Sequence, residues 1–479
     1  MSSTISHKLF SSNIISKPFS GWWAGLYISL YGIVTSVALI RGMDLFLLVG
    51  VAGLIAIGVY CISPRLWLYS VLLSSYFFYT KGGAAGDESS SQPIIFALAY
   101  HASLAIWMFN HILLKKKKLF SHWADLILYI FLLFTALNGY IALSNGVEFL
   151  TWLKGWQLFL IILYYFPIKE LITDKKSQRV LLLVCAIVLV TQGYSNISLY
   201  RTTLSNFKFA NQLFYAGIRQ GAIVFSVASL VSLSGVLYTR KLFWKIPLLC
   251  FHLFCFAVLM ISLARASWVG YAVGVVFIAI LSKGKYRRNF LIGTTSIATV
   301  VILVSTIFFG KIADIAIGVA SARFSSSAGF ATDPSYLSRI YENESLIKDI
   351  EQYPIGGVGL QKEHSRYDAI IRRSSINTYA HNNYLGMIQK LGIPLALLYF
   401  LLIGGIVLQS IRLSQRLKDP FYIFLAISSA TGLISMGIIN FVGSVFDLRE
   451  GMFLLVILFS FSFLADQELK RQEALAKTK

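Results

Sequence analysis

Charged residues are scarce in this sequence: they make up 13% of its 479 residues, whereas hydrophobic residues make up 57%. A soluble domain of this size does not have such a composition, which is typical of a membrane protein with many spans. Apolar runs of about 20 residues cross a bilayer as helices, because a helix satisfies its own backbone hydrogen bonds. We therefore predict an all-α polytopic bundle with about 12–14 transmembrane helices.

Cysteine is also scarce, and all four cysteines lie within apolar runs: Cys61, Cys185, Cys250 and Cys255. None of them falls in a candidate outer loop, so the sequence predicts no disulfide framework. His252 lies between two of these cysteines, but no further ligands accompany the three residues, and we predict no metal site. Residues 1–20 lack a short apolar core with a cleavage site, so no removable signal peptide is expected.

Basic residues are in excess, and the formal net charge is +21. They cluster in the short gaps between apolar runs, at 115–118, 175–179, 240–241, 283–288, 412–418 and 470–471. This distribution is the positive-inside pattern, so it reports topology and does not indicate nucleic-acid binding. With the N-terminus inside, all of these clusters fall on the inner side, and both termini are expected to be cytoplasmic.

The apolar runs divide the chain into three parts. They lie near residues 22–40, 44–62, 66–80, 93–114, 123–144, 149–168, 180–198, 217–238, 246–264, 267–282, 289–309, 387–411, 421–442 and 451–465. We predict N-terminal transmembrane helices over residues 1–309, an outer loop domain over 310–382, and C-terminal transmembrane helices with a cytoplasmic tail over 383–479.

The long outer loop is predicted to be a folded helical cap. Residues 338–350 place Ile340, Ile347 and Ile350 on one face, as an amphipathic helix does. PIGGVGL, at 354–360, predicts a turn that needs its glycines. SRYDAIIRRSSI, at 365–376, predicts a second short helix.

Two arginines break the positive-inside pattern. Arg219 begins a span, and Arg265 lies in a very short turn between two spans, so both are expected at the outer membrane edge. A cation at that depth is costly unless it has a partner or faces water. One such arginine is explained by snorkelling to lipid phosphate. Two on neighbouring spans favour a bound anion, because the planar guanidinium suits phosphate oxygens.

His381 lies in YAHNNYLG, where the outer loop meets the next span. Asn382 or Asn383 is expected to cap the helix that follows. Imidazole accepts a proton near neutral pH, so His381 is a candidate general base, although a packing or capping role is the alternative.

These residues together favour group transfer from a lipid diphosphate. The bundle would hold the lipid tail, and the diphosphate would lie at the interface beside Arg219 and Arg265. The sequence has no G-x-x-x-x-G-K-[ST] motif and no acidic pair beside these arginines, so we predict a reaction without nucleotide, metal or other cofactor. Such a reaction needs only charge stabilisation of the leaving group and deprotonation of an acceptor hydroxyl.

Three segments in this order resemble the O-antigen ligase and polymerase superfamily: SLARASWVG, SRIYENESLIKDIEQYPIGGVGLQ and YAHNNYLGMIQKLGIPLALLYF. The resemblance is strongest over residues 260–410 and extends to Arg219. It implies a multi-pass glycosyltransferase of the bacterial inner membrane, with its active site and cap in the periplasm. The implied donor is a glycan on undecaprenyl diphosphate. For a ligase of lipopolysaccharide biosynthesis, the acceptor is a lipid A-core sugar, and the displacement inverts the anomeric carbon.

The resemblance also implies roles for individual residues. Arg219 and Arg265 would hold the diphosphate, and His381 would be the base or would orient the acceptor hydroxyl. The candidate substrate-binding residues are Arg339, Asn382, Asn383, Asp447 and Arg449. For Asp447 and Arg449, a charged turn is the alternative interpretation.

Three other functions compete with the ligase. An O-antigen polymerase and a protein O-oligosaccharyltransferase would use the same donor, but the single large outer loop favours a ligase. A transporter of lipid-linked glycans would need ionisable groups near the bilayer midplane and repeat symmetry between halves. Lys154 is the one candidate for such a group, and it lies near enough to a helix end to snorkel.

Overall fold

The computed structural model describes residues 58–81, 92–205, 217–293, 334–368 and 373–477. The predicted run at 22–40, most of those at 44–62 and 289–309, and the first part of the outer loop, at 310–333, lie outside the described residues. Nearly all of the described backbone is helical, which confirms the predicted helical bundle.

Fourteen α-helices and two strands have both of their ends given within the described residues. The helices are α1 (Pro64–Lys81), α2 (Gln92–Phe109), α3 (Trp123–Ser144), α4 (Phe149–Leu160), α5 (Tyr165–Leu171), α6 (Lys175–Ser205), α7 (Ala222–Tyr238), α8 (Leu242–Ile261), α9 (Arg265–Leu281), α10 (Pro334–Gln352), α11 (Asn383–Leu391), α12 (Ile393–Arg416), α13 (Pro420–Ile439) and α14 (Arg449–Lys477). The strands are β1 (His364–Asp368) and β2 (Arg373–Asn377). Residues 284–293 are also helical.

The chain divides into two compact units, and the described residues of the smaller unit lie at 58–74, 81 and 92–116. Within it, α1 and α2 are joined by polar contacts between buried side chains. The Trp67 indole donates a hydrogen bond to the Ser103 hydroxyl over 2.6 Å, and the Tyr100 hydroxyl donates to the Val71 carbonyl. α2 continues into a π-turn at Asn110–Leu114.

The larger unit contains the candidate membrane spans. Seven helical segments among the described residues are long and apolar enough to cross a bilayer. They are Trp123–Ser144, Phe149–Leu171, Lys175–Ser205, Leu242–Ile261, Ile393–Arg416, Pro420–Ile439 and Arg449–Lys477. The segment Phe149–Leu171 comprises α4 and α5, which are joined by a 3-10 turn at Ile161–Tyr164. α7 and α9 are shorter apolar helices. The protein is therefore a multi-pass membrane protein.

α13 lies at the centre of this unit, where it packs against α7, α9, α12 and α14. Serine side chains line these interfaces. Ser410 of α12 is hydrogen-bonded to Ser429 of α13 over 3.0 Å and to Ser462 of α14 over 2.8 Å. Ser226 of α7 contacts Ser435 of α13 over 3.2 Å. Small polar residues stabilise helix pairs in lipid because they allow close approach and cross-helix hydrogen bonds.

The predicted span at 387–411 is divided between two helices. α11 ends at Leu391, and Gly392 is the N-cap of α12, with φ at +79°. A Cβ atom at this position would lie 2.0 Å from the Ile355 carbonyl oxygen. The break therefore requires glycine, because the chain from the outer loop lies directly against it.

The part of the cap that the structure describes contains one helix and one β-hairpin. The helix predicted over residues 338–350 is confirmed within α10. The second helix, predicted over residues 365–376, is wrong: β1 and β2 pair antiparallel there, with His364 opposite Asn377. The side chains of β2 are largely exposed. Tyr367 of β1 instead attaches the hairpin to α10 by an edge contact with Tyr341, with ring centroids 5.5 Å apart.

The buried face of α10 differs from the predicted one. Ile347 is exposed, and Ile340 and Ile350 are only partly buried. The buried positions are four residues apart: Ser338, Glu342 and Leu346. The face that α10 presents to the protein therefore has a carboxylate at its centre.

The glycine-rich turn after α10 is confirmed, with φ at +68° for Gly357 and +98° for Gly359. The buried amide of Asn138 is one of the groups that anchor the turn to α3 and α11. Its nitrogen donates to the Gly356 and Lys390 carbonyls over 3.0 and 3.2 Å, and its oxygen accepts from the Leu360 N–H over 3.0 Å. This anchor ties the cap to the bundle next to the helix that follows His381.

Candidate active site

A buried carboxylate at the centre of the cap joins two histidines. Glu342 of α10 is fully buried. Its Oε2 lies 3.0 Å from His381 Nδ1 and accepts the His381 backbone N–H over 3.1 Å. Its Oε1 lies 3.3 Å from Nε2 of His364, the first residue of β1. Three segments that are separate in the sequence therefore meet at one carboxylate.

The two histidines determine the charge of Glu342. Burial by itself raises the pKa of a carboxyl group, because it penalises the ionised form. The hydrogen bonds from His364 and His381 outweigh burial here and lower the pKa of Glu342 from 4.5 to about 2. Glu342 is therefore an anion at neutral pH.

His381 differs from its partners in exposure. Its side chain is 32% exposed, whereas those of Glu342 and His364 are at 0%. The backbone on either side of it is fixed, since Ala380 is buried and its carbonyl accepts the Ser444 hydroxyl over 2.6 Å. Asn382 is the N-cap of α11 and accepts the Leu385 N–H over 3.4 Å, which confirms the predicted cap.

Asn383 and Asp447 lie together in a buried network. The Asn383 amide nitrogen donates to Asp447 Oδ1 over 2.8 Å, and its oxygen accepts the Phe446 N–H over 3.2 Å. Lys390 Nζ donates to Asp447 Oδ2 over 2.7 Å. These contacts hold the α13–α14 connection against α11, directly after His381.

Arg265 is the first residue of α9 and follows a rigid turn, as its sequence position predicts. Leu263 in this turn has φ at +50°, a backbone conformation that residues other than glycine adopt at an energetic cost. The Ser262 hydroxyl accepts the Ala264 N–H over 3.2 Å, and the Trp268 indole donates to the Leu259 carbonyl over 3.0 Å. The turn therefore fixes the position at which α9 begins.

The segment that carries Arg219, residues 217–221, contacts this turn. A Cβ atom on Gly217 would lie 2.6 Å from the Ser262 carbonyl oxygen. The Asn196 amide of α6 donates to the Gln220 carbonyl over 2.9 Å. The Gly221 backbone approaches the carboxylate of Glu450, the residue after Arg449. Arg219, whose side chain is exposed, is thus next to both the Arg265 turn and the start of α14.

The structure gathers the sequence-predicted residues at one end of the bundle, which we call the cap end: the end with α10, the hairpin and the α8–α9 turn. Arg339 lies on α10 one turn before Glu342. Asn383 and Asp447 contact each other, and the Arg219 segment links the Arg265 turn to Arg449 of α14.

Sequence reasoning missed Glu342 and His364. Glu342 lies in a polar segment, YENESL, where glutamate is ordinarily solvated, and His364 stands apart from any motif. The sequence offered one signal for Glu342, its position one turn after Arg339, and none for His364. Among the described residues, no group of three His, Cys, Asp or Glu side chains is arranged to hold a metal ion.

Comparison with known proteins identifies a domain that contains most of this site. Residues 250–400 match the family model described as O-antigen ligase. The matched range includes Arg265, Arg339, Glu342, His364 and His381, and it confirms the resemblance inferred from the sequence. A search of curated proteins found no match.

Proposed function

We propose that this protein is an O-antigen ligase of lipopolysaccharide biosynthesis, because residues 250–400 match the family model described as O-antigen ligase. Enzymes of this family transfer lipid-linked glycans. In the proposed reaction, a glycan moves from undecaprenyl diphosphate to a sugar hydroxyl of the lipid A core. The cap end faces the periplasm of a bacterial inner membrane.

The observation that carries this proposal is the placement of arginines at helix N-termini. Arg265 is the first residue of α9, Arg449 is the first residue of α14, and Arg219 lies just before α7. A helix N-terminus is already positive, so an arginine there adds charge of the unfavoured sign. These ends lie at the cap end, and we propose that an anionic group of the donor binds there. A lipid diphosphate has the required charge and lies at that depth.

The proposed reaction is a single displacement. The acceptor hydroxyl oxygen attacks the anomeric carbon as the bond from that carbon to the diphosphate oxygen breaks, with inversion. Arg219 and Arg265 stabilise the negative charge that develops on the diphosphate, which leaves on its lipid. His381 takes the proton of the acceptor hydroxyl. The protein's own side chains thus supply the base and the charge stabilisation.

We assign the remaining predicted residues either to substrate binding or to the wall of the site. Arg339, on the α10 face that also carries Glu342, and Asn382, beside His381, are proposed to contact the acceptor. Arg449 is proposed to contact the diphosphate. Asn383 and Asp447 contribute through the buried network that shapes the wall of the site.

The described helices offer little support for a transporter. The buried pair of Asp125 and Lys169 lies at helix ends, because Asp125 is in the first turn of α3 and Lys169 is in the last turn of α5. Lys154 is exposed.

A polymerase or a protein O-oligosaccharyltransferase would use the same donor site, and both remain outcomes of the experiment below.

The test is a lipopolysaccharide gel from a host that lacks this gene, complemented with plasmid copies of the wild type and variants. We expect the mutant to show bare lipid A-core with polymer retained on undecaprenyl diphosphate, and the wild-type copy to restore the ladder. His381→Ala and Arg265→Lys should not restore it. Arg240→Lys is the matched control for the second variant, because Arg240 is exposed at the opposite end of the bundle.

Each other result has a definite meaning. A core bearing a single repeat unit would identify a polymerase. A gel unchanged by loss of the gene would reject the ligase and direct the assay to glycoproteins. Restoration of the ladder by a well-expressed His381→Ala variant would reject His381 as the base.

A further inference from the structure

We propose that Glu342 and His364 form a buried positioning pair that holds the His381 ring in a single tautomer, with Nε2 as the atom that receives the acceptor's proton. This inference rests on the proposed function, because it concerns how His381 acts in that reaction. It assigns roles to two residues that form no part of the sequence-predicted site.

The geometry restricts the ring of His381 at two points. Glu342 Oε2 contacts both the backbone N–H of His381 and its Nδ1, over 3.1 and 3.0 Å. A carboxylate oxygen that binds the main chain and the ring of one residue fixes the position of the residue and the rotation of its side chain. Nε2 lies across the ring from Nδ1, and the side chain is 32% exposed, so the unengaged side of the ring is the accessible one.

An ionised carboxylate also selects the tautomer. It has only acceptor sites, so each ring nitrogen that is bonded to it carries a hydrogen. His381 therefore has its hydrogen on Nδ1, which leaves the lone pair on Nε2. By the same reasoning, His364 has its hydrogen on Nε2, which faces Glu342 Oε1 over 3.3 Å. The neutral His381 ring is then ready to accept a proton at its exposed nitrogen.

His364 explains how a fully buried carboxylate stays ionised beside a catalytic histidine. A buried charge is stable only when hydrogen bonds satisfy both oxygens. His381 satisfies Oε2, and His364 satisfies Oε1. His364 is held in place by the hairpin, since it begins β1 and pairs with Asn377 of β2. The hairpin thus supplies the second donor that the carboxylate needs.

The proton balance of the step is simple. The acceptor hydroxyl loses its proton to His381 Nε2 as its oxygen bonds to the anomeric carbon and the diphosphate departs. The imidazolium that forms keeps its Nδ1–H on Glu342, which stabilises the positive charge without taking the proton. Solvent removes the proton from Nε2 after the product leaves.

Kinetics on the purified full-length protein tests the positioning role. The substrates are an undecaprenyl-diphosphate glycan and lipid A-core. We expect Glu342→Gln to lower kcat at least about 100-fold, with the donor KM changed less than about 3-fold. Asp349→Asn is the matched control: Asp349 is also on α10 and accepts the Gln389 amide of α11 over 2.7 Å, but it does not touch His381. Its kcat should stay within about 3-fold of the wild type.

Two substitutions of His364 separate positioning from packing. His364→Gln places an amide donor near the position of Nε2, and we expect it to keep kcat within about 5-fold of the wild type. His364→Leu fills the space without a donor, and we expect kcat to fall at least about 10-fold. Equal activities of the two variants would show that His364 only fills space, and would overturn its part of the proposal.

The tautomer itself is measured by NMR of the protein labelled with nitrogen-15 histidine, with signals assigned through His381→Gln. We expect the wild-type His381 to carry its hydrogen on Nδ1, and a hydrogen on Nε2 would overturn the proposal even if no Glu342 variant folds. Wild-type kcat for Glu342→Gln would overturn it as well. If His381→Ala retains transfer, the proposed function of His381 fails instead. The two failures are therefore distinguishable.

Discussion

Replacing Asn138 by leucine should weaken the attachment of the glycine-rich turn to the bundle. Asn138 is buried in α3, and its side chain makes three of the hydrogen bonds that hold residues 356–360 against the bundle. The Lys390 carbonyl keeps a partner in the variant, since it also accepts the Gly359 N–H over 3.0 Å. The partly buried Gly356 carbonyl loses a bond worth about 1 kcal/mol, and the buried Leu360 N–H is left unpaired at about 2–3 kcal/mol. The expected cost is therefore about 3–4 kcal/mol for the local unit.

Hydrogen exchange of the Leu360 amide measures this change in free energy directly. A loss of about 3–4 kcal/mol in the free energy of opening accelerates exchange by a factor of about 100–1000. Thr135→Val is the control on the same helix, because among the described residues the buried Thr135 hydroxyl bonds only to the Leu132 carbonyl of its own helix. Its effect should be below about 1 kcal/mol. Leu360 exchange that changes less than about 5-fold in Asn138→Leu would refute the anchor.

Two further predictions concern the cap and its junction with the bundle. Gly392→Ala should lower the melting temperature or prevent folding, because φ is +79° there and a Cβ atom would lie 2.0 Å from the Ile355 carbonyl oxygen. Gly404→Ala is the control and should be neutral, since no atom lies within 4 Å of a Cβ at that position. The cap should also lose stability in acid, because the pKa of Glu342 is lowered from 4.5 to about 2. The contribution of the ionised Glu342 to the free energy of unfolding is therefore complete above about pH 4.5 and is lost as the pH falls toward 2. The full loss is about 3 kcal/mol, measurable as faster proteolysis between α10 and α11, and Glu342→Gln should abolish this pH dependence. Equal acid sensitivity of wild type and Glu342→Gln would contradict it.

The membrane helices and the positions of the short motifs along the chain could be predicted from the sequence because their signals are local. α3 begins and ends at the residues where its apolar run does, and α13 differs from its run by only a few residues. Arg265 and Asn382 were placed correctly for the same reason, since a short turn and a helix cap are decided by adjacent residues. The break at Gly392 was missed because it depends on Ile355, which approaches from the cap.

The errors in the cap have one physical origin, which also explains why Glu342 was missed. An amphipathic pattern predicts which face is buried only if the partner surface is apolar. α10 instead meets a polar surface, made by His364 of the hairpin and by His381, so it turns Glu342 inward and leaves Ile347 exposed. The segment predicted as a helix over residues 365–376 contacts this polar helix, so an apolar helix face would gain little stability there. The segment instead forms the paired strands β1 and β2. A buried carboxylate with two histidine partners is costly to assemble for stability alone, because an apolar contact of the same size avoids its desolvation. That cost is the reason to look for its benefit in the chemistry of His381.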